Sequence, residues 1–151
     1  MPAMSGSTKK RVSAKDKAPV RLQLVQQLAV FLDNRPGTLA RLCDVLGQEK
    51  INIFAFSTSD TVDHIVMRMV VSDTARAMHV FEEHGTLVVQ TEVLMIDGTN
   101  KPGSLAAIAH RLAEAGVNIE YAYSATHPSQ QKGLLILRVS DPKKALKALN
   151  S

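Results

Sequence analysis

The stretch Asp33-Asn34-Arg35-Pro36-Gly37-Thr38-Leu39-Ala40 returns 66 positions later as Thr99-Asn100-Lys101-Pro102-Gly103-Ser104-Leu105-Ala106, and reading the two as copies of one turn decides the fold. The correspondence runs on without a gap: Leu42 meets Ile108, Leu46 meets Leu112, Ile51 meets Val117, Asn52 meets Asn118 and Ile53 meets Ile119. Further along the offset becomes 68, where Ser72-Asp73 matches Ser140-Asp141, so the second copy carries two extra residues around positions 124–132. Self-similarity at a fixed period marks a repeated structural unit.

Within each copy the hydrophobic period switches in a fixed order. Gln27 to Leu32 is a short apolar run of strand type, broken by Pro36-Gly37; Leu39, Leu42, Cys43 and Leu46 follow at helical spacing. Proline in a first helical turn costs little, because its missing N–H would have no partner there. Strands are expected from about Ile51 to Thr58 and from about His64 to Val71, then a helix capped by Asp73 that carries Ala75, Met78 and Phe81 and ends at Gly85. A fourth strand, about Leu87 to Thr91, leads almost directly into the second copy's first strand, Val93 to Ile96. The order βαββαβ predicts an α+β fold: two ferredoxin-like units with antiparallel sheets and helices on one face, over residues 20–91 and 92–151. The second unit runs out of chain before its last strand. Arg21 to Val25, or a partner chain, is the expected occupant of the edge this exposes.

Several strands are apolar on both sides of the pleat, among them Leu28 to Leu32 and Leu134 to Leu137. Phe54 and Phe56 share one strand face, as do Tyr121 and Tyr123. The helix-free sheet faces are therefore expected to be buried, against the other copy or a second chain, which makes a homodimer the predicted assembly.

The charge is unevenly placed. The net +4 is formed by residues 1 to 21, which hold six basic side chains against one acid, and the remainder is close to neutral at −1. A basic stretch without an apolar block cannot offset its ordering entropy, so residues 1–19 are expected to be a disordered tail. The apolar runs fall far short of the roughly 20 residues a membrane span needs. The single cysteine, Cys43, suits a reducing compartment, the cytoplasm, and its place between Leu39, Leu42 and Leu46 predicts a small buried core residue. The five histidines are scattered, and no phosphate loop, nucleophile elbow or zinc-binding helix motif occurs, so neither catalysis nor a metal or other cofactor is predicted.

Two polar features do repeat. At the strand-to-helix turns a helix N-terminus offers unpaired N–H groups and glycine permits close approach, a setting that suits a carboxylate. Asn34 and Asn100 add an amide that can meet an ammonium through its carbonyl or a carboxylate through its NH2. The second feature is Asn52 and Asn118, each between β-branched residues at the start of the second strand. Both features also fit plain turn and cap chemistry.

N-[RK]-P-G-[TS]-L-A at the first turn, [IV]-N-I opening the second strand and the order βαββαβ together resemble the ACT domain, a small amino-acid-binding regulatory module, in tandem over about residues 22–151. The resemblance implies a non-catalytic protein that binds a free amino acid or similar small carboxylate and couples this to self-association or a partner. It implies ligand contacts at Asp33, Asn34, Arg35, Pro36, Gly37, Thr38 and Leu39, at Thr99, Asn100, Lys101, Pro102, Gly103, Ser104 and Leu105, and at Asn52, Ile53, Asn118 and Ile119. A ferredoxin-like RNA binder or a purely structural assembly module is the alternative. The aromatic signature of RNA-recognition sheets is absent from the third strands, so nucleic acid is the less expected partner.

Overall fold

The computed structural model describes residues 21–151; the expected basic tail lies outside the described residues. Ten elements follow in order: β1 (Leu22–Asp33), α1 (Thr38–Gln48), β2 (Ile53–Asp60), β3 (His64–Val71), α2 (Thr74–Glu83), β4 (Val88–Thr99), α3 (Ser104–Glu114), β5 (Ile119–Ala125), β6 (Lys132–Val139) and α4 (Pro142–Asn150). Each repeat is a ferredoxin-like unit, as the alternation of periods predicts. The sheets, however, are not separate. All six strands join one antiparallel sheet in the order β2-β3-β1-β4-β6-β5.

The fusion arises at the centre, where both middle strands are longer than the sequence pattern suggested. β1 begins at Leu22 rather than Gln27, and the two short strands expected at 87–91 and 93–96 are the single strand β4. Leu28 to Val30 pair with Val88 to Gln90 and with β3, completing the first unit. Leu22 to Val25 pair with Val93 to Ile96, while β4 pairs on its other side with β6, completing the second. The N-terminal half of β1 is thus the strand that the second repeat lacks, and the N–H of Asp97 donates to the carbonyl of Arg21 as the last rung. Continuous pairing removes the two edges that separate sheets would have left open.

Each repeat keeps its own core on the helix-bearing face. Leu28, Val30, Leu46, Met67, Met69 and Phe81 pack in the first; Leu94, Ile96, Leu112, Leu137, Val139 and Ala145 pack in the second. Leu22 and Leu24 lie against the second core although they begin the first repeat. Asp73 and Asp141 cap α2 and α4, accepting from the N–H of Arg76 and of Lys144 at 3.1 Å. Cys43 corrects the expectation of a buried thiol, because it is exposed. Leu42 and Leu46 form the buried stripe of α1, and the next residue is turned about 100° away from Leu42, toward solvent.

The helix-free face is closed in part by its own curvature. β2 and β5, at opposite ends of the strand order, approach each other across it. Val70, Val93 and Ile136 are buried there, with Val25, Met95 and Tyr123 packed around them. Gln27 is the one buried polar side chain among the described residues, at 0% exposure. Its amide donates to the hydroxyl of Tyr121 at 2.7 Å, and its carbonyl accepts from the hydroxyl of Tyr123 at 2.8 Å. The Arg68 guanidinium lies 4.3 Å from the Tyr121 ring centroid, at cation–π distance. Burial, with Tyr121 beside it, holds the Tyr123 hydroxyl in its protonated, donating form well above the ordinary tyrosine range. Phe54 and Phe56 line a pocket beside Tyr123 and Leu134 at this closure, yet stay 52% and 59% exposed on the edge strand.

Candidate functional site

Both repeated turns are built the same way. At the end of β1 the N–H of Asn34 donates to the carbonyl of Asp63, and its side-chain NH2 donates to the carbonyl of Thr61 at 3.1 Å. At the end of β4 the N–H of Asn100 donates to the carbonyl of Gln131, and its NH2 to that of Gln130 at 2.7 Å. Each asparagine therefore ties its turn to the loop between the unit's next two strands. The NH2 is committed, which leaves the side-chain carbonyl oxygen as the group available to a ligand, one that accepts and so suits an ammonium. Asn100→Ala is expected to release the 126–131 loop at a cost of about 1 kcal/mol. Faster amide exchange confined to that loop is the measurement, and unchanged exchange would remove this role.

Gly37 and Gly103 sit at the N-caps of α1 and α3 with φ of 86° and 85°, a left-handed conformation that glycine alone adopts without strain. Neither helix has a side-chain cap, in contrast to α2 and α4. The N–H groups of Thr38 and Ser104 donate to the carbonyls of Arg35 and Lys101, and the next two of each first turn keep their partial positive charge for another acceptor.

The surroundings of the two turns differ. At the second, a cavity of about 180 Å³ opens between Gly98 to Lys101, the first turn of α3, and Ser124, Thr126 and Gly133 of the neighbouring strands and loop. In the first repeat, a cleft of about 220 Å³ lies between Leu32, α1 and the end of α2, lined by Leu42, Val45, Phe81 and His84, and is mostly apolar. Thr38 reaches this cleft, and its hydroxyl oxygen is buried without a hydrogen-bond partner. Arg35 is held by Asp33 at 2.8 Å; in the second repeat Thr99 stands in place of that acid, and Lys101 has no carboxylate partner among the described residues.

Asn52, Ile53, Asn118 and Ile119 are not brought to the turns. They follow the far ends of α1 and α3, and each helix, at 11 residues, spans about 16 Å. There the N–H of Asn52 donates to the Ser72 hydroxyl at 2.9 Å, and that of Asn118 to the Ser140 hydroxyl at 3.0 Å. Ser72 and Ser140 return their own N–H to the asparagine carbonyls. The repeated asparagines and serines form backbone staples at strand ends, and Ile53 and Ile119 pack against the two cores. Among the described residues no cluster of histidine, cysteine or acidic side chains has the arrangement to hold a metal ion. No described helix is long and apolar enough to cross a membrane.

Sequence reasoning missed Gly98, Ser124, Thr126 and Gly133 as cavity residues. The signal was present as departures from the repeat, since Gly98 aligns with Leu32 and Gly133 with Ile65. Gln27 was missed as well, and nothing local in the sequence announces that a strand glutamine meets two tyrosines more than 90 positions away.

Two ferredoxin-like units with glycine-capped turns define a tandem ACT architecture, and the ACT domain pair family matches over residues 23–150. The chain belongs to that family. Protein BT0572 from Bacteroides thetaiotaomicron is similar at 31% identity with a TM-score of 0.80, over 85% of this chain and 88% of that one. The ligand-free regulatory subunit of aspartate kinase from Thermus thermophilus shares the fold at 19% identity and a TM-score of 0.62, over 85% and 94% of the two chains. The corresponding subunit from Thermus flavus does so at 21% and 0.58, over 87% and 94%. No curated protein matches the chain.

Proposed function

We propose that this ACT pair is a non-catalytic regulatory module of the cytoplasm that binds a free amino acid at a strand-to-helix turn and answers through its association with a second copy or a partner. The observation that carries the reading is the cavity at Thr99 to Leu105, where an uncapped helix start, an asparagine carbonyl and a lysine converge. The carboxylate of the ligand meets the N–H groups of Leu105 and Ala106 in the first turn of α3 and the Lys101 side chain, and its ammonium meets Asn100. Neighbours of the same fold that are regulatory subunits of aspartate kinase support regulation as the output. The boundary between the units falls inside β4, near residue 91. Exposed Phe54 and Phe56 on the edge strand β2 are the apolar surface for a homodimer.

A ligand present at about 100 times its Kd adds roughly 2.7 kcal/mol of stability. A thermal-denaturation screen of the standard amino acids is therefore expected to return at least one that raises the midpoint. Sedimentation with and without that amino acid is expected to show a change of assembly state, since binding regulates only if one state binds better. Midpoints unmoved by every amino acid would discard sensing, and an unchanged assembly state would discard self-association as its output.

A further inference from the structure

We infer that the two repeats are unequal, and that the chain holds one amino-acid pocket, in the second unit, shaped for a short polar side chain. The inference rests on the sensing function proposed above and narrows it to one site and one ligand class. Gly98 and Gly133 face each other across β4 and β6 as direct register partners. Their counterparts in the first unit, Leu32 and Ile65, are register partners across β1 and β3. Directly paired residues project to the same side of a sheet. Leu32 packs with the first core on the helix-bearing side, so two branched side chains fill in the first unit the space that in the second is open over Gly98 and taken by Thr126 over Gly133.

That space forms part of the cavity at the second turn, whose wall carries the hydroxyls of Ser104, Ser124 and Thr126 beside the apolar Leu105, Ile108 and Leu135. Gly133 is required by contact as well, because a Cβ there would collide with the Thr126 hydroxyl oxygen. The glycine thus lets a hydroxyl come close against the strand. Charge follows the same division. The first turn neutralises Arg35 with Asp33, while the second leaves Lys101 for a carboxylate. With the backbone of the ligand held at the turn, its side chain enters over Gly98, beside the Thr126 side chain that lies against Gly133, and meets hydroxyl groups that both donate and accept. A hydroxyl- or amide-bearing side chain satisfies them, and an aromatic one leaves them unpaired.

Titration calorimetry of the full chain with L-serine, L-threonine, L-asparagine and L-glutamine, and with L-phenylalanine for contrast, tests this. The expected result is saturation at one ligand per chain by a member of the polar set, with L-phenylalanine at least tenfold weaker. Gly98 has room for a side chain, since a Cβ at that position meets nothing closer than the Gly133 carbonyl oxygen at 3.7 Å, so Gly98→Leu is expected to fold and to weaken binding at least tenfold. Independently of any variant, ligand-induced amide shifts in the wild-type chain are expected at residues 99–105 and not at 33–39. Two ligands per chain, shifts at both turns, or undiminished binding by a folded Gly98→Leu would overturn the single pocket while leaving amino-acid sensing intact. Preference for L-phenylalanine would overturn the ligand class. Failure of all twenty standard amino acids to bind would overturn the sensing function itself, and this inference with it.

Discussion

Leu24→Asp is expected to lower the unfolding free energy by about 4 kcal/mol, although Leu24 precedes every element of the repeat whose core it damages. Its side chain packs against the second core, and its backbone pairs with Leu94. The substitution removes apolar contact and places a carboxylate among Leu94, Leu137 and their neighbours. Gln23→Asp, one position earlier and exposed, is the matched control, expected to stay within about 0.5 kcal/mol. Urea unfolding of both variants decides the matter. A loss below about 1 kcal/mol for Leu24→Asp would mean that the N-terminal half of β1 is not an integral strand of the second unit.

The second large effect is expected at Gln27. Gln27→Ala leaves the hydroxyls of Tyr121 and Tyr123 without their partner on the helix-free face and opens a void beside them, a loss of about 3 kcal/mol. The control is a triple variant. Gln27→Leu combined with Tyr121→Phe and Tyr123→Phe removes donors and acceptors together, and is expected to regain most of that stability, because a fully apolar replacement leaves no polar group stranded. If the triple variant is no more stable than Gln27→Ala, the hydrogen bonds are not what holds β5 over the centre of the sheet.

The repeat, its element order and the helix-bearing cores were legible because they rest on local periodicity. Leu42 and Leu46 and their partners Ile108 and Leu112 recur at helical spacing, and the caps Asp73 and Asp141 sit where such caps belong. The single sheet was not legible to the same degree. Gln26 and Gln27 interrupt the apolar pattern of β1, so the strand reads as starting late, and Thr91-Glu92 breaks β4 in the same way. In both cases pairing on each side of the strand overrides the local pattern. Cys43 misled because a helical stripe read by spacing alone has no fixed edge. At the turns, the asparagines and glycines were found by repetition, while the cavity was hidden because its makers are the positions where the copies disagree. Asn52 and Asn118 show the converse: repetition reported a shared scaffold, the staple to Ser72 and Ser140, rather than a place at the turn.

β4 passes from one repeat to the other without a loop, and β1 serves both. A flexible tether would let two lobes swing, and a signal could then travel as a change of angle between them. Here the only covalent path is a hydrogen-bonded ribbon at the middle of the sheet, so the lobes have no hinge about which to turn. The exposed rim lies away from that ribbon: the 126–131 loop that Asn100 ties down, and the edge strand that carries Phe54 and Phe56. A molecule of this kind is a stiff plate, and under the function proposed above its response is a change at the margins that meet a neighbour rather than a bend along its own length.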